Sequence, residues 1–233
     1  MSADMEEREP KQLLLDAIRM LARAGIVDHS GHGSVRRDRA SFYINSGAST
    51  RSALTAADIV ACDLDGTLVE GEAKPPLEFH IHSEIYRARD DVHAVVHTHP
   101  EHATAFSSLR VPLLPISHEA CLFVPPDVPR FSETTDLIVT AALGRAVASA
   151  LGPTWAVLLE NHGVVTAGAT VADAALRAFF LEKAARLQLL AGGREQTWTS
   201  DGEALAKRAH VYAPRGQANV WAYLTRRHAR RRG

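Results

Sequence analysis

Two short apolar runs in this sequence lead directly to histidines. The run Ala94–Val96 is followed by His97 and His99, and the run 155–159 is followed by His162. Because alternate side chains of a strand share a face, His97 and His99 are predicted to point the same way. Three neutral imidazoles with an open fourth position are typical of a catalytic metal site, not of a closed structural one. The sequence therefore predicts a chain that folds around one divalent ion.

Glu78, in the segment PPLEFHIHSEIY, is the fourth candidate residue of this site. An open metal site polarises a substrate oxygen or activates a water molecule, and Glu78 could act there as an acid, a base or a further ligand. As a general acid it would need a pKa raised by burial or by a neighbouring carboxylate. Imidazole ligands suit zinc, manganese, iron and cobalt, so the identity of the metal stays open.

The bulk composition favours one globular enzyme-sized domain. The chain has 233 residues, of which 46% are hydrophobic, enough for a sizeable core. It shows no internal repeat and no clear linker, so residues 1–233 are predicted to form a single domain. A formal net charge of −1 gives no support to a nucleic-acid partner.

The sequence also indicates where the protein is located. Cys62 and Cys121 are far apart, which argues against a disulfide framework and suits a reducing compartment. The segment Met1–Pro10 is acidic and polar, unlike a secretory signal. No apolar run approaches the roughly 18 residues needed to span a bilayer. We therefore expect a soluble cytoplasmic protein with no membrane contact.

Helical and strand-like patterns alternate irregularly along the chain, and some strands are joined by hairpins. This mixture predicts an α/β layer fold with a central mixed or antiparallel sheet. Apolar residues at helical spacing predict helices at 10–24, 75–89, 100–108, 134–151, 171–191 and 202–210, with a further segment at 219–227. Short apolar or β-branched runs predict strands at 34–36, 41–44, 59–63, 67–69, 92–96, 113–116, 155–159 and 164–166. The proline-rich stretch 124–131 is predicted to be a loop.

At these residues the sequence resembles the class II aldolase/adducin family. Four motifs occur in the family's order over about residues 13–190 and carry the resemblance: SGHGSVR, INSGAS, PPLEFHIHSEIYRARDDVHAVVHTHPEHATAFS and ENHGVVTAG. The resemblance implies a three-layer α/β/α fold around a mostly antiparallel sheet. It also implies a homotetramer with active sites at subunit interfaces, and a divalent metal on His97, His99 and His162 with Glu78 as ligand or acid/base. Adducin-like members without the metal histidines are non-catalytic, so the retained histidines favour an enzyme.

The sequence departs from the sugar-phosphate members of this family at two phosphate-binding positions. It has His32 where those members have asparagine, and Pro76-Leu77 where they have a pair of serines. Proline supplies no amide donor and leucine supplies no hydroxyl, so a dianionic phosphate would lose several charge-assisted hydrogen bonds. Candidate substrate contacts that remain are His32, Ser46, Gly47 and His118. His82, one helical turn after Glu78, is predicted to form a simple i,i+4 pair with it.

The leading functional hypothesis is a metal-dependent carbon–carbon lyase that decarboxylates a small hydroxy-aromatic or hydroxy-pyridine carboxylic acid. The cation would stabilise the electron density left after cleavage as an enolate or phenolate. The resemblance includes a branch of such enzymes, for example the 3-hydroxy-2-methylpyridine-4,5-dicarboxylate decarboxylases. The alternatives are an aldolase or epimerase acting on a sugar or sugar phosphate, an Fe(II)-dependent oxygenase on the same scaffold, and a non-catalytic scaffold protein.

Overall fold

The structure is a computed structural model that describes residues 9–192 and 196–229. Residues 1–8, 193–195 and 230–233, which the sequence analysis assigned to the same single domain, lie outside the described part of the chain. Within the described residues no helix is long and apolar enough to cross a membrane. Cys62 and Cys121 are both buried free thiols.

Seven α-helices and eight strands make up the described fold. The helices are α1 (Pro10–Arg23), α2 (Phe79–Ala88), α3 (Glu101–Ser107), α4 (Ala141–Leu151), α5 (Val171–Ala191), α6 (Asp201–Val211) and α7 (Pro214–Ala229). The strands are β1 (His32–Arg36), β2 (Ser41–Asn45), β3 (Ile59–Asp63), β4 (Leu68–Glu70), β5 (Ala94–Thr98), β6 (Arg130–Phe131), β7 (Ala156–Leu159) and β8 (Gly163–Gly168).

One sheet contains all eight of these strands, in the order β4-β3-β2-β1-β5-β8-β7-β6. Every neighbouring pair is antiparallel except β6 and β7, which run parallel at one edge. The predicted hairpin of β3 and β4 is present. The prediction of an α/β fold with a mostly antiparallel central sheet is therefore confirmed.

Helices cover both faces of the sheet, because successive side chains of the central strand β5 point to opposite sides. Ala94 and Val96 pack with α1 and α5 in one apolar cluster. Val95 packs with α2 and α4 in a second cluster on the other face. The result is the predicted three-layer α/β/α arrangement, and the side chain of His97 is placed on the same face as Val95.

Some predicted boundaries were wrong. No strand forms at 113–116, and α4 begins at Ala141 instead of 134, where Thr140 caps the helix by accepting a hydrogen bond from the Leu143 amide. The predicted loop 124–131 ends in the short strand β6. Helix α2 begins at Phe79 and not at Pro75 or Pro76, so Glu78 directly precedes the helix. This position places the Glu78 carboxylate at the N-terminal end of α2, near the C-terminal end of β5 and the N-terminal end of β8.

Helix α2 is held against α4 by a close contact at Gly144. A β-carbon at this position would lie 2.5 Å from the carbonyl oxygen of His80 and 2.9 Å from Cγ of Glu84. Backbone atoms cannot move aside as a flexible side chain can, so only glycine allows the two helices to approach this closely. The contact fixes the helix whose first turn follows Glu78.

We predict that Gly144→Ala destabilises the protein by about 1–3 kcal/mol, because the added methyl group overpacks the α2–α4 contact. Chemical denaturation would measure the loss. The matched control is Gly202→Ala on α6, where a β-carbon meets nothing within 4 Å and the substitution should stabilise the helix by up to about 1 kcal/mol. Equal effects of the two substitutions would contradict the packing argument.

Candidate metal centre

The three histidines of the predicted site come from two neighbouring strands. His97 is the fourth residue of β5 and His99 follows the end of that strand, while His162 precedes β8. Strands β5 and β8 are antiparallel, and Thr98 lies opposite Val164. The C-terminal end of β5 therefore lies beside the N-terminal end of β8. The predicted common direction of His97 and His99 is confirmed, since their Nε2 atoms are 3.0 Å apart.

A tight turn brings His162 against His99. Asn161 adopts the left-handed conformation, with φ of 56°, which asparagine tolerates better than most residues. At Gly163 a β-carbon would lie 2.6 Å from the Thr98 carbonyl oxygen and 2.8 Å from Cδ2 of His99. The missing side chain allows the rings of His99 and His162 to stack with centres 5.4 Å apart.

Glu78 reaches the same point from the start of α2. Its Oε1 accepts a 2.8 Å hydrogen bond from the Ile138 amide, and its carboxylate oxygens lie 3.5 Å from Nε2 of both His97 and His162. Burial raises the pKa of this carboxyl, but His162, His97 and the Ile138 amide lower it more strongly, so the pKa is well below its usual value. Glu78 is therefore expected to be ionised at rest, and it could act as an acid only with a proton that it has first taken from a substrate.

The remaining ring nitrogens show how His97 and His99 are oriented. Nδ1 of His97 donates to the Val164 carbonyl oxygen at 3.0 Å, and Nδ1 of His99 donates to the carboxylate of Asp28 at 3.2 Å. In a neutral imidazole the other nitrogen then carries a lone pair. Both Nε2 lone pairs consequently face the shared space, as metal-binding imidazoles require.

The ionisation of His99 and Asp28 agrees with this arrangement. Burial lowers the pKa of His99 to about 4, with a further lowering by His97 that Asp28 only partly opposes. For Asp28, burial raises the pKa, but hydrogen bonds from His99 and from the amides of Gly31 and Ser30 outweigh it and leave the pKa lowered. A neutral imidazole and an ionised carboxylate are the forms that a metal ligand and its supporting residue take.

This donor set fits one divalent metal ion. Glu78, His97, His99 and His162 each offer one ligand atom, and these atoms all lie within 4.8 Å of one another. Two nitrogens about 2.1 Å from one ion lie about 3.0–3.4 Å apart at angles between 90° and the tetrahedral value. Both ring nitrogens of His162 are buried without a hydrogen-bond partner among the described residues. A buried polar atom without a partner is costly, and a cation would satisfy Nε2.

His32 and His82 lie in the protein interior behind this cluster. His32 is the first residue of β1, and its ring centre is 5.0 Å from that of His97. The prediction that His82 pairs with Glu78 in an i,i+4 contact was wrong, because the ring nitrogens of His82 contact other residues. Its Nε2 instead contacts Nδ1 of His32 at 2.7 Å, and its Nδ1 contacts the Ser34 hydroxyl at 2.6 Å.

The predicted contacts Ser46 and Gly47 lie beside the segment that leads to Glu78. The Gly47 amide donates to the Lys74 carbonyl at 3.2 Å, and a β-carbon on Gly47 would lie 3.4 Å from Cα of Pro76. Buried Arg51 holds this loop by donating to the carbonyl oxygens of Gly47, at 3.2 Å, and of Gly31, at 2.7 Å. The loops before β1 and after β2 are thereby joined at the edge of the cluster.

The structure does not bring His118 to the four clustered side chains. His118 is exposed, and its carbonyl oxygen accepts a 3.0 Å hydrogen bond from Tyr212, which follows α6. His102 is also engaged elsewhere, because its Nδ1 lies 2.6 Å from the Glu182 carboxylate. A role of His118 in substrate binding stays a prediction.

Sequence reasoning missed Asp28 and Arg51. The Asp28 side chain accepts from the amides of Ser30 and Gly31, a turn that an aspartate before serine and glycine favours. The sequence could thus have indicated the turn. It gave no signal for the contact with His99, which lies 71 residues further along the chain.

Comparison with known proteins gives consistent matches. The family described as Class II Aldolase and Adducin N-terminal domain matches residues 12–189. The Decarboxylase NovR of Streptomyces niveus is 38% identical over 152 residues, which are 64% of this chain and 56% of that protein. The 4-hydroxy-3-prenylphenylpyruvate oxygenase/4-hydroxy-3-prenylbenzoate synthase of Streptomyces roseochromogenus subsp. oscitans is 38% identical over 159 residues, which are 66% of this chain and 57% of that protein. This chain therefore spans a little over half the length of both relatives.

A solved structure extends the similarity to nearly the whole chain. The L-fuculose 1-phosphate aldolase from Glaciozyma antarctica PI12 superposes with a TM-score of 0.82 at 26% sequence identity. The alignment covers 94% of this chain and 88% of the aldolase.

We predict that the protein binds one divalent ion per chain and that His162→Ala weakens zinc binding by more than about 100-fold, beyond the 10–100-fold typical for loss of a supporting residue. Competition with a chelating dye would measure the affinity. The control is His210→Ala, an exposed histidine of α6, which should leave it unchanged. Unaltered zinc affinity of the His162 variant would exclude this nitrogen as a ligand.

Asp28→Asn is predicted to weaken zinc binding by about 10–100-fold, because the amide keeps the turn but loses the charge that orients His99. Asp38→Asn is a matched control, since Asp38 closes a similar turn by accepting from the Ala40 amide and the Ser41 hydroxyl. Calorimetric titration of both variants with zinc would compare them. Equal loss in the two would contradict a specific role of Asp28.

Proposed function

Because the chain belongs to the class II aldolase and adducin family, we propose that it is a divalent-metal-dependent lyase that decarboxylates a small hydroxy-aromatic or hydroxy-pyridine carboxylic acid. Two proteins that match 72% and 94% of the chain are fuculose-phosphate aldolases by their printed names, and aldolases are lyases. The cluster of Glu78, His97, His99 and His162 supplies the site for the metal.

The observation that carries the choice of substrate is the apolar border of Glu78. On one side the chain runs Pro75-Pro76-Leu77, and Leu77 is 74% exposed. On the other side Leu137 and Val139 flank the Ile138 amide that binds Glu78, and they are 45% and 44% exposed. These exposed apolar side chains adjoin Glu78 and Ile138 in the sequence, and we propose that they contact an aromatic ring of the substrate. A phosphate group would instead need several charged or N–H donors.

The names of two relatives support the same choice. NovR is named a decarboxylase, and the Streptomyces roseochromogenus protein is named a synthase of a prenylated hydroxybenzoate. Hydroxybenzoates belong to the class of planar hydroxy-aromatic acids. Since this chain spans only part of both proteins, we transfer to it only the general class of hydroxy-aromatic acids and no particular substrate or product.

In the proposed reaction Glu78 moves the proton. A bound divalent cation supplies Lewis acidity, which stabilises the negative charge left when the carbon–carbon bond breaks. The ionised Glu78 takes the proton of the substrate hydroxyl and returns it to the ring carbon that carries the carboxylate. The bond to the carboxylate then breaks, its electron pair stays in the ring system, and carbon dioxide leaves. Atoms and charge balance, because a hydroxy-aromatic carboxylate becomes a phenolate and carbon dioxide.

Substrate contacts are proposed for His32, Ser46, Gly47 and His118. His32 lies against His97, and the loop with Ser46 and Gly47 packs against the segment before Glu78. We propose that these three residues bind a carboxylate beside the cluster. His118 would require a contact that the single chain does not make, which fits the proposal of a homotetramer with sites between subunits. Light scattering after size-exclusion chromatography would measure the oligomeric state.

A second candidate is an Fe(II)-dependent oxygenase. It is favoured by the printed name of the Streptomyces roseochromogenus relative, which is an oxygenase as well as a synthase. Consumption of molecular oxygen that requires Fe(II) and a hydroxy-aromatic acid would identify this activity, since decarboxylation consumes no oxygen. The aldolase alternative predicts cleavage of fuculose 1-phosphate, as in the fuculose-phosphate aldolases that share the fold.

We predict that protein loaded with zinc, manganese, iron or cobalt releases carbon dioxide from hydroxyphthalates and does not cleave fuculose 1-phosphate or ribulose 5-phosphate. Headspace carbon dioxide and a coupled aldehyde assay would measure the two outcomes. Retro-aldol cleavage of either ketose phosphate would overturn the decarboxylase proposal.

Glu78→Gln is predicted to lower kcat for decarboxylation by about 100-fold to 10,000-fold, because the amide can neither accept nor return a proton. Its metal content should stay close to that of the unmodified protein, since three imidazoles remain. The control is Glu203→Gln in α6, which is exposed and far along the chain from the centre. Loss of the metal from the Glu78 variant would assign Glu78 as a ligand instead.

A further inference from the structure

A chain of buried hydrogen bonds runs from the interior to the candidate metal centre. The Tyr86 hydroxyl lies 2.7 Å from Oγ of Ser34, which lies 2.6 Å from Nδ1 of His82. Nε2 of His82 lies 2.7 Å from Nδ1 of His32. All four side chains are buried, and His32 packs against His97 with ring centres 5.0 Å apart.

Each link of this chain contains one proton. Both imidazoles are buried and hydrogen-bond to neutral groups, with no carboxylate among these partners. Burial without a charged partner favours the neutral form of both rings. A neutral imidazole has one N–H, and a serine hydroxyl has one O–H. Only one of the two facing nitrogens can therefore donate in the His82–His32 contact. Once the donor is known for the hydrogen bond at one end of the chain, the donor in every other hydrogen bond of the chain follows.

Tyr86 sets that direction. Among the described residues, Oγ of Ser34 is the acceptor within hydrogen-bonding distance of the Tyr86 hydroxyl. A buried hydroxyl group needs an acceptor for its proton, so Tyr86 donates to Ser34. The Ser34 proton must then go to Nδ1 of His82, whose own proton lies on Nε2. His82 donates this proton to Nδ1 of His32.

The last proton of the chain consequently lies on Nε2 of His32. This nitrogen is on the side of the ring away from His82, and the electrostatic neighbours of His32 include Glu78, His97 and His99. With the opposite direction, Nε2 would carry a lone pair, and His32 could act as a fourth imidazole ligand. The two directions thus give His32 different chemical roles.

We propose that the chain Tyr86–Ser34–His82 fixes His32 as its Nε2–H tautomer, so that His32 donates a hydrogen bond to the substrate carboxylate beside the metal centre. Tyr86, Ser34 and His82 are positioning residues in this proposal, and His32 determines specificity. The part that concerns the carboxylate rests on the proposed function, whereas the tautomer does not.

A neutral N–H donor explains why this position selects an acid. It stabilises an oxygen with negative charge and offers no lone pair to a substrate hydroxyl proton. In the proposed contact the N–H of His32 donates to an ionised carboxylate oxygen in a buried place. Such a hydrogen bond is stronger than one between two neutral groups. Esters or amides of the same aromatic acid would lose the ionic part of this contact.

The tautomer can be measured without any substrate. In zinc-loaded protein with ¹⁵N-labelled histidine, two-bond ¹H–¹⁵N spectra distinguish protonated, unprotonated and metal-bound ring nitrogens. The His32→Asn and His82→Asn variants assign the two spin systems. We expect a proton on Nε2 of both residues and none on Nδ1. A proton on Nδ1 of His32, or a metal-bound Nε2 of His32, would overturn the proposal whether or not the protein is a decarboxylase.

Tyr86→Phe tests the origin of the direction, because it removes the terminal proton and keeps the ring. We expect a mixture of His32 tautomers, and binding of salicylate to the zinc-loaded variant weakened in proportion to the fraction of the Nε2–H tautomer that is lost, about twofold for an equal mixture. Tyr43→Phe is the matched control, since its hydroxyl lies 3.4 Å from Glu70 on another part of the sheet. Mixed tautomers with unchanged salicylate affinity would refute the donor role of His32.

Discussion

The structure depends on one electrostatic constraint: several hydrogen-bond acceptors share a buried space. Hydrogen bonds to Val164 and Asp28 use the N–H groups of His97 and His99, which leaves two lone pairs facing each other at 3.0 Å. The Glu78 carboxylate adds negative charge to the same space. Such an arrangement is unfavourable without a cation, so the surrounding fold must hold it. The close approach of β5 and β8 at Gly163, and of α2 and α4 at Gly144, provides that restraint.

The supporting hydrogen bonds come from segments distant in sequence, and this explains how the centre is made rigid. Asp28, before β1, fixes His99, while Arg51, after β2, joins the two flanking loops. The Ile138 amide, before α4, fixes Glu78. Two of the four clustered side chains, His99 and Glu78, are therefore held by groups from two different loops.

The sequence predicted the parts that depend on local periodicity and on motif order. The alternation of side chains in β5 predicted the common face of His97 and His99. The four residues predicted for the metal site are also the four whose potential ligand atoms lie close together in the structure. The sequence did not predict that α2 begins after Glu78. The spacing of apolar residues over 75–89 indicates a helix but does not indicate at which residue the helix begins. Asp28, Arg51 and the His82–His32 contact were missed for a related reason. Hydrogen bonds between residues 20 to 71 positions apart depend on the folded sheet, and a single sequence contains no local pattern for them.

A metal ion held by these four residues would not by itself determine which bond is cleaved, because the same Lewis acid can serve a lyase on a sugar phosphate or on an aromatic acid. The difference must lie in the residues around the centre. In this chain they are the apolar border at Leu77, Leu137 and Val139 and the buried histidine chain that ends at His32. An apolar border favours a flat ring, and a single N–H donor favours one carboxylate over a phosphate with three acceptor oxygens. In the proposed function both features favour a planar hydroxy-aromatic carboxylate, although they arise from different elements of the fold.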